Sequence, residues 1–372
     1  MSPPTHEEPM SESLAYGRLS IDLGAIARNY RALAAAAPGA RCAGVVKADA
    51  YGLGAMQVAP VLADAGCTEF FVALLDEGLA LRSAVPGARI YVLNGLPPGS
   101  EARCAEAGLV PVLNSFTQIK AWAALCQKTG GRLPAVIQLD SGMSRLGLGT
   151  AEVEVLLAEP SLLAAMELVL VMSHLAAADE PDHAANGAQL AAFRALAGRF
   201  GPVPLSLSNT AGIGLGPAYH FDLVRPGAGL YGLQTGPRAV KVEPVAALWG
   251  RVCQIREIEA GAGIGYGHSA ISTGPMRLAT LGVGYADGWP RSLSNTGAAF
   301  WGATRLPIVG RVSMDSVMVD ISGLDVTDLV EGDFVALFGP GQSVDGVARA
   351  AGTIGYEMLT SLSRRYERSY RV

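Results

Sequence analysis

The sequence predicts an N-terminal (β/α)8 barrel of the TIM type followed by a smaller, mainly β domain. Three observations carry that prediction. Over roughly two hundred residues, short apolar runs alternate with alanine-rich segments at helical spacing, the pattern of a closed parallel barrel. Near Thr235 the texture changes to β-type runs separated by Gly, Pro, Asn and Asp. At 372 residues the chain also exceeds the length at which a single core stops growing. The expected organisation is a loose tail over 1–16, the barrel over 17–242 and the β-rich domain over 243–372.

After a tail rich in Pro, Ser and Glu, Arg18 to Asp22 reads as a short strand. Leu23 to Ala37 follows as a helix, with Ile26, Tyr30, Leu33 and Ala37 on one face and Pro38-Gly39 at its end. The barrel strands are then expected at Val45–Val46, Phe70–Val72, Ile90–Leu93, Val110–Leu113, Val136–Leu139, Leu168–Met172, Leu205–Leu207 and Leu223–Val224. Ala102–Ala107, Gln118–Gln127, Ala151–Leu157 and Gln189–Arg199 read as helices between them. Beyond Glu243 the β-type runs are Val252–Ile255, Met276–Val283, Leu306–Val312, Ser316–Ile321 and Asp333–Phe338, with one helical piece near Val344–Ala351.

Composition narrows the function. Half the residues are apolar and 16% are charged, which is ample for a buried core. The formal charge of −5 arises without any basic run, so an electrostatic footprint for nucleic acid is missing. Five cysteines lie far apart with no CxxC pair and read as core residues of a reduced compartment. The five histidines show no HExxH or Cys/His clustering, so no metal site is expected. No apolar run reaches membrane-spanning length and the N-terminus lacks the features of a signal peptide. These features point to a small-molecule protein of the cytoplasm.

The stretch Gly44-Val45-Val46-Lys47-Ala48-Asp49-Ala50-Tyr51-Gly52-Leu53-Gly54 ends a buried strand in a lysine, with a glycine-punctuated turn directly after it. At the C-terminal end of a barrel strand, burial would lower the amine's pKa toward a nucleophilic form. The alternative is a surface lysine after an edge strand. Other strand ends carry Asp140-Ser141-Gly142-Met143-Ser144-Arg145, Ser173-His174-Leu175, Ser208-Asn209-Thr210-Ala211-Gly212 and Arg225-Pro226-Gly227-Ala228-Gly229. Arg145 can be a surface residue of a turn, and His174 a packed and hydrogen-bonded core residue. Barrels commonly hold a phosphate in the loops after strands seven and eight, where Thr210 offers a hydroxyl and Gly227 allows close backbone approach. Gly212-Ile213-Gly214-Leu215-Gly216 has GxGxG spacing, which does not fit a dinucleotide loop. In the β domain, Tyr266, Tyr285 and Tyr356 each follow a glycine, and all three read either as turn residues or as functional rings.

Taken in order, VVKADAYGLG, LDSGMSRLG, SHLA, SNTAG, VRPGAGLYG, GYG, GYADGWPR, VGRVSMD and GYEMLTSL span both halves of the chain, which resembles the alanine racemases. The resemblance implies an isomerase that uses pyridoxal 5'-phosphate (PLP) and interconverts L- and D-alanine with two bases. It further implies a homodimer with shared active sites and a supply of D-alanine for peptidoglycan. Lys47 resembles the lysine that bears PLP and serves as one base; Tyr266 resembles the opposite base, supplied by the other subunit. Tyr51, Asn209, Thr210, Gly227, Ala228 and Tyr356 match cofactor-binding positions, mostly around the phosphate. Arg225 corresponds to the partner of the pyridine nitrogen, His174 to the residue that packs on the ring and supports that arginine, and Arg145 to a donor near the phenolic oxygen. Met314 matches a substrate-carboxylate contact next to Asp315, and Tyr285 the lining of the entrance.

The chain departs from the family pattern at three places. Gln138 stands where many members have a lysine that is often carbamylated, so a neutral hydrogen bond or a bound anion must replace that anion beside Arg145. Leu53 stands where histidine is common, and Thr210 where serine is common. Other readings are a serine or broad-specificity racemase of the same fold, a barrel-type PLP decarboxylase, and a single-domain PLP carrier. Arg225 speaks against the decarboxylase, and the β domain with Tyr266 against the carrier.

Overall fold

The computed structural model describes residues 14–339 and 341–372; the tail expected over 1–16 therefore lies, up to residue 13, outside the described residues. The chain divides into two compact units. One is Gly24–Glu243, and the other joins the described residues up to Leu23 with Pro244–Val372.

Strands are numbered along the chain. β1 (Gly17–Asp22) belongs to the second unit. The barrel strands of the first unit are β2 (Arg41–Cys42) with β3 (Gly44–Val45), β4 (Glu69–Val72), β5 (Arg89–Val92), β6 (Val110–Leu113), β7 (Pro134–Gln138), β8 (Glu167–Met172), β9 (Leu205–Ser206) and β10 (Leu223–Val224). β3 to β9 form one parallel sheet in sequential order, and β10 pairs in parallel with β2. Backbone hydrogen bonds close the ring on both sides of β10. Arg41, Ala43 and Val45 donate to Asp222, Val224 and Pro226, while Asp222 and Arg225 donate to Leu205 and Ser208. All eight expected barrel strands are present. β4 and β6 are buried along their whole length, as strands covered on both faces must be.

The expected helices appear as Leu23–Ala35, Glu101–Glu106, Phe116–Thr129, Thr150–Ala158 and Ala184–Ala197. Ser115 caps the third of these by accepting the Gln118 N–H, and Gly130 ends it in the left-handed conformation. Ala55–Asp64 and Leu75–Arg82 are further helices that the sequence reading passes over. Pro60 in the first and a glycine in the second blur the helical signal.

The second unit is built around β11 (Ala246–Ile258), which pairs antiparallel with β1, with β14 (Met276–Leu281) and with β18 (Phe334–Phe338). β12 (Gly263–Ile264) and β13 (Ala270–Ile271) form a small ribbon. β15 (Ala298–Trp301), β16 (Thr304–Pro307) and β17 (Val317–Asp320) extend the main sheet, and β19 (Glu367–Arg371) lies parallel to β1. Val344–Ala351 is helical as expected, and a second helix, Gly355–Thr360, follows it.

One assignment changes. The sequence reading puts the strand near Arg18–Asp22 in the barrel, whereas β1 is hydrogen-bonded between β11 and β19. The barrel is already closed by the strands of residues 41–224. A ninth strand has no unpaired edge to join there, and β11 and β19 offer one on each side of it.

Candidate active site

The residues singled out at strand ends in the first unit gather at the C-terminal mouth of the barrel. Lys47 follows β3 by one residue, Val46, and begins an unusual turn. Ala48, Asp49, Ala50 and Tyr51 all have φ between 53° and 57°, so four consecutive non-glycine residues form one left-handed helical turn. Such a conformation costs about 1–2 kcal/mol per residue. That sum rivals the net stability of a whole domain, so the surroundings must hold the turn. Within it, Ala50 donates to the Val46 carbonyl at 2.9 Å and Gly52 to Ala48 at 2.8 Å. Asp49 Oδ1 accepts the Ala55 N–H at 2.7 Å.

The turn sets Tyr51 against the opposite wall. Its ring lies 4.6 Å from that of Tyr231, whose hydroxyl donates to the Val45 carbonyl at 2.9 Å. A Cβ on Gly227 would stand 2.4 Å from Tyr51 Oη, so the hydroxyl reaches backbone that only glycine leaves open. Thr210 Oγ1 accepts the Gly227 and Gly229 N–H groups at 3.0 and 3.3 Å. Asn209 caps the short helix Thr210–Gly214 through the Gly212 N–H at 2.9 Å, and Ala228 opens a 3-10 turn. Hydroxyls and backbone N–H groups converge here, which suits a phosphate.

Arg225 is buried beside this cradle. Its guanidinium donates to Ser206 Oγ, to the Ser173 carbonyl at 2.7 Å and to the Leu207 carbonyl at 3.4 Å. Burial pushes its pKa down to about 9, which leaves it charged at neutral pH. His174 Nδ1 lies 3.4 Å from the guanidinium. Because a guanidinium only donates, Nδ1 is the acceptor and the imidazole proton sits on Nε2. Burial first, then Arg225, Arg145 and Lys47, lower His174 to about 3. The Lys47 amine is lowered as well, by burial and by Arg145 and Arg225 against the opposing pull of Glu77.

Arg145 stands exposed on the loop after β7. Asp140 Oδ1 organises that loop by accepting the N–H groups of Gly142, Met143 and Ser144 at 2.9, 2.9 and 3.1 Å. Those bonds hold the carboxyl below the usual carboxylate range, against a desolvation that acts the other way. Gln138 is buried, and its side-chain amide donates to the Leu146 carbonyl at 3.2 Å. The amide therefore closes the same loop through a neutral bond.

Tyr266, Tyr285, Met314, Asp315 and Tyr356 belong to the second unit. Tyr266 follows Gly265 (φ 68°), is 70% exposed and lines an open hollow with His268, Ser313, Ser316 and Met318. The turns of Tyr285 and Met314 are joined by backbone bonds, Tyr285 to Ser313 at 3.0 Å and Ala286 to Met314 at 2.9 Å. Arg365 clamps them, pairing with buried Asp287 at 3.1 Å and with Asp315 at 2.8 Å. Tyr356 lies on the helix Gly355–Thr360.

Sequence profiles of the alanine racemase N-terminal and C-terminal domains match residues 21–235 and 245–370. The chain belongs to the alanine racemase family. It is 55% identical over 364 residues to the catabolic alanine racemase of Mesorhizobium japonicum, covering 97% of this chain and 95% of that one. It is 49% identical over 371 residues to the alanine racemase of Brucella canis, covering 96% and 94%. Among solved structures, the alanine racemase of Bartonella henselae with covalently bound pyridoxal phosphate superposes with a TM-score of 0.92 at 43% identity, over 96% of this chain and 99% of that one. For the Bacillus anthracis alanine racemase with bound L-Ala-P the TM-score is 0.88 at 30% identity, over 97% and 96%.

The sequence alone passes over Glu77, Tyr231 and the Arg365–Asp287 pair, all of which touch candidate-site residues or their turns. Tyr231 lies inside the VRPGAGLYG stretch, but its ring contact with Tyr51 is made across 180 positions of sequence. Glu77 and Arg365 make contacts through side chains whose partners are remote in the chain, and no local pattern marks them.

Proposed function

We propose that the protein is a PLP-dependent alanine racemase that works as a homodimer. The observation that carries this reading is the half-buried Lys47 amine, lowered in pKa, at the mouth of a closed barrel beside an anion-suited cradle. The residues fit PLP, because Tyr51 Oη, Thr210 and the open backbone at Gly227 offer a place for its phosphate. Arg225 stands among neutral oxygens, free to face a pyridine nitrogen. When bound, PLP draws off the electron pair left at the substrate α-carbon. Lys47 bears the group and handles the α-proton on one face, while the partner subunit's Tyr266 handles it on the other. One base on each side is the minimum for inversion, and general acid–base groups of this kind each contribute about 10²–10⁴-fold. His174, neutral, packs on the ring and supports Arg225. Arg145 donates near the phenolic oxygen, the partner subunit's Met314, next to Asp315, meets the substrate carboxylate, and Tyr285 and Tyr356 line the entrance and the phosphate end.

The dimer is supported by exposed apolar and aromatic side chains on the second unit. Tyr266, Met314 and Ile354 are 70%, 53% and 61% exposed. Five thiols without a disulfide support a reducing compartment, the cytoplasm. Among the described residues no helix is long and apolar enough to cross a membrane.

Supplying D-alanine for peptidoglycan and degrading alanine require the same step. Enantiomers have equal free energy, so whatever consumes the product sets the direction. Relatives at 55% and 52% identity carry the name catabolic, which supports a degradative role. A host lacking the gene should then stop growing on alanine without needing D-alanine for its wall.

The deciding assay adds L-alanine and then D-alanine to purified protein with PLP. Both should be racemised, and Lys47→Ala should lose the PLP absorbance and the rate together, while Lys120 and Lys128 remain replaceable. A Lys47→Ala protein that keeps both overturns the assignment.

A further inference from the structure

The left-handed turn at residues 48–51 contains no glycine, and only part of its support is internal. From outside, one side chain grips it at the residue directly after Lys47. Glu77 Oε1 accepts the Ala48 N–H at 2.7 Å. Its other oxygen accepts the N–H groups of Ala73 and Leu74 at 2.7 and 3.1 Å, where the helix Leu75–Arg82 begins. One carboxylate thus ties the strained turn to the start of a barrel helix.

We propose that Glu77 is a positioning residue of the racemase site. By clasping the Ala48 N–H it holds the left-handed turn that brings Lys47 to the barrel mouth and sets Tyr51 against Gly227. The proposal rests on the reading that Lys47 carries PLP. A helix cap would need only Oε2; the bond from Oε1 to Ala48 lies outside that duty. A left-handed turn of L-residues relaxes readily to other conformations, so its anchor controls how often Lys47 and Tyr51 are in place together. Glu77 also bears on the amine electrostatically. The charged and titratable groups facing Lys47 are Arg145, Arg225, His174 and Glu77, and only Glu77 is acidic among the described residues.

The test compares full-length Glu77→Ala and Glu77→Gln with the unaltered protein. Three quantities are read: PLP affinity, amide hydrogen exchange over residues 48–54, and the pH dependence of chemical labelling of Lys47 in PLP-free protein. Loss of a bond to a charged acceptor should weaken PLP binding about 10- to 100-fold in Glu77→Ala. Exchange over 48–54 should accelerate while β4 stays protected, and Lys47 labelling should shift to lower pH. Glu77→Gln keeps an oxygen for Ala48 and should recover part of the affinity without restoring the labelling profile. A Glu77→Ala protein that only melts earlier, with PLP affinity and exchange unchanged, overturns the proposal. If that variant fails to fold, a Glu77→Gln protein with PLP affinity and exchange over 48–54 both equal to the unaltered protein overturns it equally. Failure of the unaltered protein to take PLP would refute the cofactor reading instead, and exchange over 48–54 would still judge Glu77.

Discussion

The guanidinium of Arg225 lies 3.4 Å from Nδ1 of His174, and its other hydrogen-bond partners among the described residues, Ser206, Ser173 and Leu207, are neutral oxygens. A buried cation is held here by carbonyls, a serine hydroxyl and a neutral imidazole, all of which accept. In the proposed site it would face the pyridine nitrogen of PLP, and because a guanidinium can only donate, it would leave that nitrogen unprotonated and make the bound group a weaker electron sink. Arg225→Glu should reverse this by protonating the nitrogen. Racemisation should slow and the fraction of turnovers ending in pyruvate and pyridoxamine phosphate should rise. Product analysis at saturating PLP checks it, and an unchanged pyruvate fraction removes Arg225 from that role.

If each site takes Lys47 from one subunit and Tyr266 from the other, as proposed, a mixing experiment is decisive. Lys47→Ala and Tyr266→Phe chains should each be inactive as homodimers. In a mixed dimer, one of the two sites combines an intact Lys47 with the partner subunit's Tyr266. Equal mixing with full exchange should restore about a quarter of the original rate, since half the dimers are mixed and each has one whole site. Exchange without recovery would put both bases on one chain.

His174 should make the PLP-free protein acid-sensitive. In the unfolded chain it takes a proton near the ordinary histidine value of 6.5, whereas in the fold burial and the three neighbouring cations delay this to about 3. Between those values the unfolded state binds the extra proton, so stability falls as the pH drops below about 6.5. The slope from this one group approaches about 1.4 kcal/mol per pH unit. Denaturant unfolding at pH 4 to 8 should show that slope reduced by about one proton in His174→Gln.

The approach of Tyr51 to Gly227 predicts a coupled pair. Gly227→Ala puts a methyl 2.4 Å from Tyr51 Oη and 3.3 Å from Val45 Cβ. The strain should cost about 1–3 kcal/mol, and PLP affinity should fall with it. Adding Tyr51→Phe removes the nearer atom and should recover part of the stability. A double-mutant cycle measures this coupling, and purely additive effects would mean that the two residues do not meet.

Much of the candidate site was legible in the sequence because a barrel gathers its strand ends at one mouth. Lys47, Arg145, His174, Thr210 and Arg225 each follow a short apolar run, and the closure of β10 onto β2 and β9 brings these ends to one mouth. Gln138 shows the limit of that reading. The family resemblance asks what stands in for a carbamate there, and only the fold reveals that the Gln138 amide turns to Leu146 and closes the Arg145 loop.

The sequence by itself determined the alternation of strand and helix, the change to a β-rich second half and the lysine with its accompanying motifs. Each of these is written in local spacing or residue type. Tertiary structure decided the rest. β1 joins the second unit because its free edges match β11 and β19, partners more than two hundred positions away. The left-handed turn after Lys47 is contrary to the local preference of Ala48, Asp49, Ala50 and Tyr51, and a distant carboxylate on Glu77 helps hold it. The lowered pKa values of Lys47 and His174 arise from burial and from charges carried by other strands, which exist only once the barrel has closed.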